Sequence, residues 1–141
     1  MEANLMAHFS WTDDLITANS LIDGDHRKLV SLVNAFFEAM EKNQANEVMS
    51  KVMNELIVYT REHFGREEAE MERVQYVASL AHKSEHAKLL QQIIELKAVL
   101  DAGGKINVAA IPDFLSDWLR HHILTADLKL AAALKQKKQT A

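Results

Sequence analysis

Apolar residues recur at three- and four-residue steps through four long stretches of the chain, the spacing that lines up side chains on one face of an α-helix. The first stretch, 21–42, carries His26, Leu29, Val33, Phe36, Phe37 and Met40, with Asp23 and Asp25 suited to the positive end of its dipole. The second, 47–72, places Val52, Leu56, Tyr59, His63, Glu67 and Met71 along one side. Gly65 interrupts it at a cost of about 1 kcal/mol, on the face away from His63. His82, His86, Leu89, Ile93, Leu96 and Leu100 keep register through the third, 80–100. Ile111, Leu115, Trp118 and His122 do so through the fourth, which starts near residue 109 with Pro112 in its first turn. Short connections fall at 42–46 and 73–79, and Asp101-Ala102-Gly103-Gly104-Lys105 is the clearest break.

Residues 1–20 read as an arm packed over the rest through Phe9, Trp11, Leu15 and Ile16, and 127–137 as a short helix whose lysine-rich end complements a helix C-terminus. No alternation of period two suggests a strand. The expected fold is all-α, an up-down-up-down four-helix bundle over 21–126 with an N-terminal arm and a short C-terminal helix, in one domain of 141 residues.

With 48% apolar residues, the chain can bury a substantial core. A net charge of −4 without a basic stripe argues against nucleic acid as a partner. There is no cysteine, so a metal would be held by nitrogen and oxygen donors, and no disulfide is in play. No cationic leader with an apolar run opens the sequence, and no stretch approaches the ~20 apolar residues of a membrane span. A cytoplasmic location is expected.

Histidines change the picture most. His63 and Glu67 stand four apart, as do His82 and His86, so each pair shares a helical face. In an up-down-up-down bundle the beginnings of the first and third helices lie beside the ends of the second and fourth. His26, His63, Glu67, His82, His86, His122 and Asp127 therefore fall at one level, near one end of the core. Taken singly, a histidine is more often core or surface than ligand. Five imidazoles and two carboxylates crowded together without a cation would be poorly solvated. His8 has no partner at helical spacing and reads as a surface residue. His121 points off the inner face of its helix.

A structural zinc uses about four ligands and would leave three idle. Two six-coordinate metals offer about twelve positions, and these donors with a bridging oxide or hydroxide fill about eleven, leaving one open. An open position on a nitrogen- and oxygen-ligated pair suits iron. The residues leave manganese and zinc open.

His26, His63-x-x-x-Glu67, His82-x-x-x-His86 and His122-x-x-x-x-Asp127, with Ile22-Asp23 before the first and Trp118-Leu119 before the last, resemble the hemerythrins, particularly the single-domain bacterial ones. The resemblance covers nearly the whole chain. It implies two iron ions with a bridging oxide or hydroxide, His82, His86 and His122 on one, His26 and His63 on the other, and Glu67 and Asp127 between them. It implies O2 as the ligand, taken up reversibly at the iron with two histidines. It also suggests Leu29, Leu119 and Ile123 as the apolar wall of the O2 pocket, although core packing explains these three equally well. Asp25 stands where relatives often carry glutamine or glutamate, a change that touches hydrogen bonding around the ligands. Ferritin-like di-iron proteins need Glu-x-x-His pairs, and this sequence has none.

The function expected from this likeness is O2 carriage, storage or delivery to a receiving protein, without catalysis. A sensor acting through a partner is the second reading, and a di-iron enzyme consuming peroxide or nitric oxide the third. The bundle uses nearly all of the chain, leaving no output domain in it, and no acid, base or cleft stands apart from the ligand set.

Overall fold

Asn19 starts the first helix: its side-chain oxygen accepts the Ile22 N–H at 3.0 Å, and α1 runs from Ser20–Glu41. Asp23 fastens the approach by accepting from the N–H and hydroxyl of Thr17 at 2.9 and 2.7 Å. The structure, a computed structural model, describes residues 9–42, 45–102 and 110–140. Beyond α1 come α2 (Asn46–Arg73), α3 (Ser79–Asp101), α4 (Ala110–His122) and α5 (Leu128–Thr140). His8 and the glycine pair 103–104 lie outside the described residues.

α2 stops at a well-formed cap. The Tyr76 N–H reaches back to the Met71 carbonyl at 2.9 Å and the Gln75 N–H to that of Glu72 at 3.2 Å, with Gln75 in the left-handed region at φ 53°. Gly65 leaves α2 unbroken and exposed to open space, as its position off the ligand face requires.

The bundle is assembled with α2 against both α1 and α3, and α4 against α1. The arm lies over it. Phe9 and the Asn34 amide exchange two hydrogen bonds, Arg27 sits over the Trp11 ring, Leu15 is fully buried, and Arg120 pairs with Asp14 at 2.6 Å.

Two apolar clusters divide the interior. The larger joins Leu29, Val33, Phe36, Met53, Leu56, Ile93, Leu115 and their neighbours. The smaller, at the far end, joins Ile22, Met71 and Val74 with Leu130, Ala131 and Leu134 of α5. Between them lies a layer of buried polar side chains. The closing helix thus caps the bundle end, and no loop separates it from α4. Ile123–Asp127 forms a π-helical turn that joins the two, with the Leu128 N–H bonded to the Ile123 carbonyl five residues back.

Candidate metal centre

α-helical periodicity sets most of the buried layer. His63 and Glu67 stack one turn apart on α2, and His82 and His86 on α3, while His26 projects from the second turn of α1. The last pair needs something else. Five residues along an α-helix rotate a side chain by about 500°, leaving it about 140° off the starting face. The wider π turn removes most of that offset, and His122 Nε2 lies 3.1 Å from Asp127 Oδ1. His122 is buried along with Ile111, Leu115 and Trp118, whereas His121 is exposed, so the register of this helix agrees with its apolar spacing.

All seven side chains expected at the centre are brought together, as two groups whose donor atoms lie within 4.8 Å of one another. One group is Glu67, His82, His86, His122 and Asp127. The other is His26, His63, Glu67 and Asp127, and the two share both carboxylates. Each carboxylate turns one oxygen to each group. Glu67 Oε2 lies 3.1 Å from His63 Nε2 and 3.7 Å from His26 Nε2, while its Oε1 lies 3.1 Å from His86 Nε2 and 3.6 Å from His82 Nε2. Asp127 Oδ2 lies 2.8 Å from His26 Nε2, and its Oδ1 3.0 Å from His82 Nε2.

These donors fit a metal. Every one of the seven is at most 5% exposed. Yet Nε2 of His26, His63, His86 and His122, both oxygens of Glu67 and Oδ2 of Asp127 make no hydrogen bond among the described residues. Buried polar atoms at such short separations stay unbonded only when their lone pairs aim past one another, here at common points. No cysteine competes for a softer ion.

Three further carboxylates hold the rings from behind. His63 Nδ1 meets Asp25 Oδ2 at 2.8 Å, His86 Nδ1 meets Glu68 Oε2 at 2.8 Å, and His122 Nδ1 meets Glu85 Oε1 at 2.5 Å. A carboxylate on Nδ1 fixes the tautomer that leaves Nε2 free. Glu68 and Glu85 did not stand out in the sequence; the signal, a glutamate beside a ligand, is faint in a chain rich in glutamate. Asp25, suited by position to the helix dipole, faces α2 instead. Phe64 adds a ring stacked on His86, with centroids 3.7 Å apart and planes 4° from parallel. Leu29, Leu119 and Ile123 are all buried in the larger apolar cluster.

Charge balance within this layer follows from its neighbours. Burial disfavours charge on His63, but the hydrogen bond to Asp25 and the Glu67 carboxylate close by outweigh it and raise its pKa to about 9. Burial likewise opposes charge on His122, and the Asp127 carboxylate beside it raises its pKa to about 9. Burial and the Asp127 charge push Glu67 up, yet the imidazoles of His26, His63 and His86 close beside its oxygens bring it down to about 2. Asp25 is held well below the usual carboxylate range, since bonds from His63, Arg66 and Tyr59 overcome the effect of burial.

Comparison with known proteins agrees with this arrangement. The sequence profile of the Hemerythrin HHE cation binding domain matches residues 17–134. A bacteriohemerythrin of Pseudomonas aeruginosa (strain LESB58) is 32% identical over 130 residues, 92% of this chain and 84% of the relative. A hemerythrin-like protein of Naegleria gruberi is 28% identical over 134 residues, 95% of this chain and all of the relative. A wild-type hemerythrin crystal structure superposes with a TM-score of 0.82 at 29% identity, covering 91% of this chain and 98% of the other.

Proposed function

The chain belongs to the hemerythrin family, whose members are in general non-haem iron proteins that bind O2, and from that membership we propose that it binds O2 reversibly at a pair of irons for carriage, storage or delivery. The observation that carries the two-metal reading is the division of labour in Glu67 and Asp127, each with one oxygen toward each group of histidines. His82, His86 and His122 would hold one iron, and His26 and His63 the other, with both carboxylates between. When bound, the irons supply the position for O2 and the electrons that its reversible binding uses.

What the chain itself contributes is orientation and dryness. Asp25, Glu68 and Glu85 hold His63, His86 and His122 with Nε2 inward. Leu29, Leu119 and Ile123, all buried, keep water from the pocket at the two-histidine position. A role without catalysis is favoured because, among the described residues, the carboxylates that bond the ligand histidines from behind, Asp25, Glu68 and Glu85, are engaged in holding those rings. No helix among the described residues is long and apolar enough to cross a membrane. The recipient we envisage is an oxygen-receiving protein of the cytoplasm.

Metal analysis tests the pair directly. Iron-loaded protein should carry about two metals per chain, and Glu67→Ala, which removes a shared carboxylate, should lose metal from both positions. A wild-type content near one that Glu67→Ala leaves unchanged contradicts the two-metal reading.

A further inference from the structure

Among the three carboxylates behind the ligand histidines, Asp25 is treated differently. Its side chain is 9% exposed, against 32% for Glu68 and 39% for Glu85. Those two receive only the bond from their histidine among the described residues. Asp25 receives four: from the Tyr59 hydroxyl at 2.6 Å, from His63 Nδ1 at 2.8 Å, and from Arg66 Nε and Nη2 at 2.8 and 2.9 Å.

The placement of those bonds matters. Arg66 grips both oxygens, Nε on Oδ2 and Nη2 on Oδ1, so the carboxylate is fixed against rotation. Tyr59 fills the remaining side of Oδ1, and the Arg66 guanidinium lies 5.3 Å from the Tyr59 ring, which steadies the fork. Oδ2 is thereby presented to His63 in one orientation. Without the fork, a short aspartate on α1 has no other contact from α2 but a hydroxyl and the imidazole it is meant to steer.

We propose that Arg66, assisted by Tyr59, is a positioning residue for the two-histidine metal site, acting through Asp25 to hold His63 with Nε2 on the metal. The inference rests on the two-metal reading above. It predicts an asymmetry: Arg66 governs the site of His26 and His63, and leaves that of His82, His86 and His122 alone.

The test is equilibrium binding of zinc alone to the metal-free full chain. Wild type should take up two zinc ions. Arg66→Gln should weaken one of the two steps by about 10- to 100-fold, the usual cost of losing support behind a ligand, and leave the other within about twofold. Arg66→Lys keeps the charge but not the fork, so it should recover only part of the loss. The decisive readout is coupling: Asp25→Ala should reproduce the defect, and Asp25→Ala with Arg66→Gln should be no worse than Asp25→Ala. Arg73→Gln, which breaks only the pair with Glu70 on the same helix, should bind as wild type does. Circular dichroism of each metal-free variant checks the fold, and Arg66→Lys carries the test should Arg66→Gln not fold. Two unchanged steps in a folded Arg66 variant, or additive effects in the double variant, overturn the inference alone. Wild type taking up a single zinc overturns the two-metal reading and the inference with it.

Discussion

His121 and His122 differ by one position and by everything that one position controls. A single step turns a side chain by about 100° on a helix, so His122 enters the centre while His121 faces solvent. His122→Ala should lower metal content and change the visible spectrum of iron-loaded protein, while His121→Ala should leave both as in wild type; the reverse result would contradict the register. Protons set a second expectation at this scale. His63 and His122 have pKa values raised from 6.5 to about 9 in the metal-free fold, so their stabilisation is complete below pH 6.5 and is lost as pH climbs through 9. Glu67 is lowered from 4.5 to about 2, so its contribution is complete above pH 4.5 and lost as pH falls through 2. Metal-free protein should therefore be most resistant to urea between about pH 4.5 and 6.5, with a midpoint that falls on going to pH 9. A midpoint that rises over that alkaline range contradicts the charge balance described. Bound metal should flatten the alkaline loss, because the cation takes the place of the protons. Six of the seven inward-facing residues follow from helical spacing; Asp127, five residues past His122, was placed by its level in the bundle and faces inward only through the π turn. Asp25 was marked, through the resemblance, as touching hydrogen bonding around the ligands, but its partner His63 was not, and Glu68 and Glu85 were not marked at all: each bonds a histidine on another helix, and nothing along the chain signals such a pairing.

Helix α2 supplies His63 and Glu67 to the centre, as many ligands as α3, and it does so with a glycine in its interior. A methyl group at Gly65 would meet no atom within 4 Å. Gly65→Ala should therefore stabilise the protein by about 0.5–1 kcal/mol, a rise in melting temperature of about 2–4 °C, with metal content unchanged. A fall in melting temperature would mean that the glycine serves some contact the helix conceals. At this scale the four long helices were readable from apolar periodicity, and their ends from Asp23 and Asp25, the connection at 73–79 and the break that begins at Asp101; the Asn19 cap and the left-handed Gln75 were not read from the sequence. The join between α4 and α5 was not. His122 and Asp127 are spaced for a turn of five residues, but a π turn has no composition of its own, and periodicity alone suggests a new helix at 127. The hydrogen bond from Leu128 to Ile123 shows instead one helical run with a widened turn, which is what brings Asp127 to the centre.

Across the whole molecule the centre lies in a polar layer closed above and below by apolar clusters, so its charges are screened from water, and most of its inward donor atoms have no hydrogen-bond partner among the described residues. The level of the seven residues was predictable from bundle topology; the seal was less so, because Leu130 and Leu134 look like any apolar face until α5 is seen packed against Ile22 and Met71. The proposed pair of irons, with water excluded and one position left for a small molecule, should take up O2 and release it, whereas a pair open to water should oxidise and stay oxidised. The most direct measurement is the visible absorption of anaerobically reduced, iron-loaded protein, recorded under argon, after exposure to air, and after the air is removed again. Nearly colourless protein that gains a band in air and loses it under argon, over repeated cycles, is the predicted result. Conversion in air to a stable ferric spectrum that argon does not reverse would contradict reversible O2 binding.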